Sequence, residues 1–120
     1  MPYVDLLGTA GDAGKLQEFA KKFLIAFGVE HFEERSSSSY VEGLYYLAFK
    51  NDVEIKISIY DGDDHEDLPF WVHFYARVLK DSDLVNMVDT FVRDVAIPGG
   101  FRFARFLKLG RKASEVRLEY

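Results

Sequence analysis

The sequence predicts an α+β fold, a two-layer sandwich in which two helices pack on one face of a five- or six-stranded, mainly antiparallel sheet. Two segments repeat apolar residues at helical spacing, and several others alternate apolar and polar residues with a period of two. Short turns join the alternating segments, and short connections require antiparallel pairing. The predicted order is α-β(1-2)-β-β-α-β-β, within a single domain over residues 1–120.

The two helices are predicted over residues 12–27 and 82–95. Each carries an apolar stripe on one side and polar residues on the other. Thr9 or Asp12 is the expected cap of the first helix, and Asp81 or Ser82 that of the second. Glycines end both, as Gly28 follows the first helix and the Pro98-Gly99-Gly100 run follows the second.

The clearest strand covers residues 53–60, where Val53 and three isoleucines alternate with polar residues. Asn51-Asp52 before it forms a plausible two-residue turn, because both residue types tolerate positive φ. The other strands are predicted over residues 29–35 (a weak edge strand), 40–50, 69–78, 101–109 and 114–119. This element order is similar to that of the bacterial type III secretion chaperones, which are small acidic dimers, although the chain lacks their C-terminal helix.

Composition excludes several classes of site. The chain has no cysteine, which rules out disulfides, thiolate zinc sites and cysteine nucleophiles. The net charge of −5 argues against nucleic-acid binding, which depends on neutralising phosphates. Basic residues are concentrated after residue 94, and ion pairing across the folded sheet is the simplest explanation. We expect a cytoplasmic protein, because we find neither a signal peptide nor a membrane-spanning segment.

The acidic run from Asp61 to Asp67 is the first place to look for a metal. A calcium loop of the helix–loop–helix type has glycine sixth and a closing glutamate. Gly62 stands second in this run and no glutamate closes it, so we expect a solvated hairpin tip and no metal or cofactor.

No catalytic residue is assigned from the sequence. His31, His65 and His73 stand in no metal-binding or catalytic spacing, and Ser36–Ser39 lacks the strand-turn-helix setting of a nucleophile. A binding role is therefore favoured over an enzymatic one. The alternative is a small-ligand-binding or enzymatic domain with a cavity between helices and sheet, using His73 or His31 with a nearby carboxylate.

The outward face of the sheet is the strongest candidate surface. If Phe70, Val72 and Phe74 face the helices, Trp71, His73 and Tyr75 point away from them. Aromatic residues rimmed by charge have the composition of a protein interface. The predicted partner-binding residues are Tyr60, Asp61, Asp63, Asp64, Glu66, Asp67, Trp71, His73 and Tyr75.

The leading hypothesis is a small acidic protein-binding module that binds a basic partner, such as an immunity or antitoxin-type inhibitor or a secretion chaperone or adaptor. A homodimer that consumes the aromatic face is an alternative. A third possibility is that the sheet curls and both of its faces are partly covered, since the 40–50 strand is apolar at both parities. Base stacking on the aromatics is not expected, because the chain is acidic and lacks an RNA-recognition signature.

Overall fold

The sheet is built around a strand that the sequence did not predict. The computed structural model describes residues 2–120, and in it the N-terminal segment forms the central strand of a seven-stranded antiparallel sheet with the spatial order β2-β3-β4-β5-β1-β6-β7. The strands are β1 (Tyr3–Ala10), β2 (Phe32–Ser36), β3 (Leu44–Lys50), β4 (Val53–Ile59), β5 (Phe70–Ala76), β6 (Phe101–Leu107) and β7 (Val116–Glu119).

β1 was missed because it is covered on both faces. Val4, Leu6 and Leu7 are all buried, so the strand reads as an apolar run without alternation. Its Gly8 is required by packing, because a Cβ there would lie 2.2 Å from the ring of Phe103 on β6. The predicted α+β class is thus confirmed, while the strand number is seven and the order begins with a strand. The similarity to the secretion chaperones rested on an element order that begins with a helix, and the observed order begins with a strand.

The helices lie on one side of the sheet. They are α1 (Leu16–Phe27) and α2 (Asp81–Phe91), and α2 continues into a π-helical turn (Val92–Ala96). The predicted caps of both are wrong, because Lys15 and Lys80 occupy the N-cap positions and neither forms a side-chain cap. The first helix starts four residues later than predicted and the second one residue earlier. Gly28 ends α1 in the left-handed conformation, as predicted. Within residues 2–120, no helix is long and apolar enough to cross a membrane.

The main core fills the space between the helices and the inner face of the sheet. Phe70, Val72 and Phe74 point into it, as their parity predicted. Phe19 and Phe23 from α1 pack against the sheet aromatics, with ring centroids of Phe19 and Phe70 4.6 Å apart. Trp71, His73 and Tyr75 therefore lie on the opposite, outer face of the same strand, each of them half-buried.

Candidate functional site: the outer face of the sheet

The acidic loop of residues 61–68 lies on the outer face. Leu68 is fully buried there and forms a second, smaller apolar cluster with residues of β1 and β6. The buried members of this cluster are Leu7, Leu68, Ala104 and Phe106. The loop joins the antiparallel strands β4 and β5 and its acidic residues are exposed, as the sequence predicted, but Leu68 also holds it over β1 and β6.

Ion pairs fasten this loop to the C-terminal strands. Asp67 lies 2.9 Å from Arg117 of β7 and 3.0 Å from Arg102 of β6. Hydrogen bonding from Arg117 holds the pKa of Asp67 below its ordinary value. The predicted ion pairing between the acidic and basic parts of the chain is present here, although it joins a loop to two strands.

A contact between His65 and Glu115 also attaches the loop to the connection between β6 and β7. His65 Nε2 lies 3.0 Å from Glu115 Oε2, and both side chains are nearly buried. The backbone N–H of Gly110 donates to Glu115 Oε1 at 2.9 Å. Burial raises the pKa of Glu115, but the hydrogen bonds from Gly110 and His65 outweigh that effect and lower it overall. Glu115 is thus an ionised acceptor, and His65 Nε2 is the donor.

A buried carboxylate lies beside the covered region. Asp5 of β1 is 6% exposed, and its Oδ1 accepts hydrogen bonds from Trp71 Nε1 at 2.8 Å and His73 Nδ1 at 2.6 Å. Burying a carboxylate is unfavourable unless it is hydrogen-bonded, and these two donors both stabilise Oδ1. Because a carboxylate only accepts, His73 carries a proton on Nδ1, and in the neutral ring Nε2 is left as an acceptor.

Sequence reasoning missed Asp5. An aspartate within the otherwise apolar run Val4–Leu7 was the available signal, since charged residues are rarely buried without a partner. Its partners are 66 and 68 residues away in the chain, so the contact follows only from the pairing of β1 with β5.

A shallow cleft lies next to this carboxylate. Its volume is about 190 Å³, and it is lined by Tyr40, Lys56, Ser58, Trp71 and His73. Lys56 is directly opposite His73 in the register of β4 and β5. Drug-sized ligands occupy pockets of roughly 300 to 1,000 Å³. This cleft is closer in size to a single side chain.

One row of residues across the outer face stays open. Strand register places Phe49, Glu54, Tyr75 and Tyr3 side by side on β3, β4, β5 and β1, and we call these four residues the aromatic row. Phe49 is 61% exposed and Tyr3 54% exposed. Three strand spacings make the row about 14 Å long. The acidic loop covers β1 and β6 on the other side of His73 and leaves this row uncovered.

The nine predicted site residues fall into three groups. Asp61, Asp63, Asp64 and Glu66 are exposed on the loop, and Asp67 is engaged by arginines. Tyr60 packs edge-to-face on Trp71 with centroids 6.3 Å apart, so both belong to the margin of the covered region. His73 and Tyr75 lie at the cleft and in the aromatic row. Their role in partner binding stays a prediction.

The other two histidines are placed differently from His73. His31 is exposed just before β2, and His65 is held in the loop contact with Glu115. His73 combines a buried carboxylate partner with a cleft. Comparisons of the chain with protein-family models, curated proteins and solved structures found no match.

Proposed function

We propose that the protein binds a protein partner through the aromatic row and the cleft beside it. The observation that carries this proposal is the exposure of Phe49 and Tyr3, at 61% and 54%, in one row with Tyr75. Large aromatic side chains are enriched at protein interfaces because they bury much area at a small entropic cost. The neighbouring cleft of about 190 Å³ suits one anchoring side chain of a partner.

The acidic loop favours a basic partner. Asp61 and Glu66 are exposed and form no ion pair within the described part of the chain, whereas Asp67 is paired with arginines. Unpaired carboxylates at the margin of an interface raise the association rate with a positively charged protein. Inhibitor and adaptor roles, and the cytoplasmic location expected from the sequence, remain within this proposal.

The proposal is tested by comparing two triple variants in capture experiments from the source cells. The first replaces Tyr3, Phe49 and Tyr75 with serine. The second replaces Ile25, Val95 and Ile97 with serine, and these exposed residues belong to the helical layer. We expect one protein to be enriched by the wild type and by the second variant, and to be lost with the first.

Circular dichroism of both triple variants checks that they are folded. Equal enrichment with the two variants would contradict the proposal. Analytical ultracentrifugation addresses the homodimer alternative: self-association that only the first variant abolishes would show that the row binds a second copy of the chain.

A second candidate function is supported by the contact between Asp5 and His73. An imidazole whose Nδ1 proton is fixed by a buried carboxylate is a suitable general base. Binding of a small ligand in the cleft would then place it against His73, Lys56 and Ser58. The small volume of the cleft favours the partner-binding proposal over this one.

A further inference from the structure

Three potential metal ligands meet where the acidic loop contacts the β6–β7 connection. A nitrogen of His65 and carboxylate oxygens of Asp64 and Glu115 all lie within 4.8 Å of one another. The His65 and Glu115 side chains are 11% and 12% exposed, so two of the three are held in a nearly dry setting. Asp64 is exposed and closes the group from the solvent side.

The spacing of His65 and Glu115 is close to that of two ligands of a tetrahedral ion. Metal–ligand bonds of about 2.0–2.1 Å to nitrogen and oxygen place two ligands of a tetrahedral Zn²⁺ roughly 3.3 Å apart. His65 Nε2 and Glu115 Oε2 are 3.0 Å apart. The second oxygen of Glu115 is fixed by the backbone N–H of Gly110, the kind of outer hydrogen bond that orients a metal ligand.

The surrounding charge also favours a cation. Tyr60 packs beside His65, with ring centroids 6.2 Å apart. Four carboxylates lie close enough to act on the Tyr60 hydroxyl, those of Glu115, Asp64, Asp61 and Asp63. Cations also lie in this region, since Lys112 acts on Asp63 and Arg117 and Arg102 are bound to Asp67. The four carboxylates beside Tyr60 are the feature that would attract a cation.

We propose that Asp64, His65 and Glu115 bind a divalent first-row transition metal of the Zn²⁺ type. An imidazole with two carboxylates suits these ions, whereas Mg²⁺ and Ca²⁺ prefer oxygen ligands alone. Three protein ligands leave the fourth position of a tetrahedral ion to solvent. The ion bridges the acidic loop and the β6–β7 connection, and binding it stabilises the loop in its docked position.

Binding changes the hydrogen bonding of His65. The ion replaces the proton on Nε2, and the neutral ring then carries its proton on Nδ1. Arg117 Nη1 lies 3.4 Å from Nδ1 and must withdraw from it. Arg117 also donates from Nη2 to Asp67 at 2.9 Å and from Nε to Glu119, so it retains partners when Nη1 moves.

The test is a Co²⁺ and Zn²⁺ titration of the chelator-treated full chain at 150 mM NaCl. We expect one equivalent of Co²⁺ to give a visible absorption spectrum of a four-coordinate ion, and Zn²⁺ to displace it. Asp64→Asn and Asp61→Asn each remove one negative charge from the same loop, but only Asp64 is among the three ligands. Asp64→Asn should weaken binding at least about tenfold, since even partners that only orient a ligand contribute that much, and Asp61→Asn should leave it nearly unchanged.

A second measurement uses the wild-type chain, so its result does not depend on whether the variants fold. Zn²⁺ should shift the NMR resonances of the His65 ring and leave those of His73 unchanged. Absence of saturable binding, equal losses in the two asparagine variants, or a response at His31 or His73 instead of His65 would overturn the proposal.

Discussion

Asp5 is the residue that fixes the arrangement of side chains in the middle of the outer face. Across neighbouring strands, Asp5 lies in line with Lys56, His73 and Phe106. This line separates the exposed aromatic row from the part of the outer face that the acidic loop covers. Its carboxylate sets the orientation of both Trp71 and His73. A hydrophobic residue here would leave both ring N–H groups without this acceptor, and an unsatisfied buried donor typically costs about 1–3 kcal/mol.

Asp5→Ala is expected to change the tautomer of His73. Trp71 Nε1 and His73 Nδ1 donate to the same oxygen, Oδ1, so alanine removes the acceptor of Nδ1 and permits a proton on Nε2. Long-range ¹H–¹⁵N correlation spectra above the titration range of the ring should show the Nδ1–H form in the wild type and a mixture in the variant. An unchanged tautomer in the variant would show that Asp5 does not fix it.

At the scale of elements, the docked acidic loop depends on one apolar side chain. Leu68 is fully buried in the outer cluster, while its neighbours in the loop are acidic. Leu68→Ala should lower the free energy of unfolding by about 2–5 kcal/mol, because it leaves a cavity beneath the loop. Urea denaturation measures this effect.

Val78→Ala is the control for that experiment, since Val78 is 81% exposed. We expect it to change the free energy of unfolding by less than about 0.5 kcal/mol. Equal and small effects of the two substitutions would mean that the loop is not packed on the sheet.

The edge strand β2 is joined to β3 by a hydrogen bond whose strength depends on pH. The Tyr46 hydroxyl donates to Glu34 Oε1 at 2.6 Å, and burial, followed by this hydrogen bond, raises the pKa of Tyr46 to about 12. The ordinary tyrosine pKa is about 10. Because the folded-state pKa is the higher one, the stabilisation is fully present below pH 10 and is lost as the pH rises through 10 to 12.

Tyr46→Phe should therefore be less stable than the wild type by about 0.5–1.5 kcal/mol at pH 7. The difference between the two proteins should shrink as the pH rises from 10 to 12, and urea denaturation at pH 7, 10 and 11.5 measures it. Tyr3→Phe, which removes an exposed hydroxyl, is the control. A difference for Tyr46→Phe that stays constant with pH would contradict this assignment.

At the scale of the whole molecule, the helices and strands whose apolar residues repeat at a regular spacing were predictable. The elements without such a repeat were not. The strand at residues 53–60 and both helices were found because one face of each is buried and the other is polar. The central strand β1 was missed because burial on both faces removes that alternation. Tertiary packing, and not local propensity, makes residues 3–10 a strand.

The candidate site was predictable in part for a related reason. Strand parity alone placed Trp71, His73 and Tyr75 outward, and the structure confirms that placement. The docked loop could not be foreseen, because a single leucine in an acidic run gives no periodic signal. The contacts of Asp5 with His73 and of His65 with Glu115 join residues 68 and 50 positions apart, so only the strand order brings them together.

Charge is also organised at this scale. Arg102 and Arg117 neutralise Asp67, and Arg105 lies 3.8 Å from Asp89 of α2. Three of the six basic residues after residue 94 thus form ion pairs with carboxylates from earlier in the chain. The carboxylates of Asp61 and Glu66 keep their negative charge at the surface beside the outer face, where a basic partner would meet them.

The affinity of the partner isolated in the capture experiment tests the central claim most directly. Isothermal titration of that purified protein should give a dissociation constant at least about 30-fold weaker for the variant with serine at Tyr3, Phe49 and Tyr75, since interface anchors commonly contribute 2 kcal/mol or more. The variant with serine at Ile25, Val95 and Ile97 should bind like the wild type. Equal affinities for all three proteins would show that the partner binds elsewhere and would contradict the account.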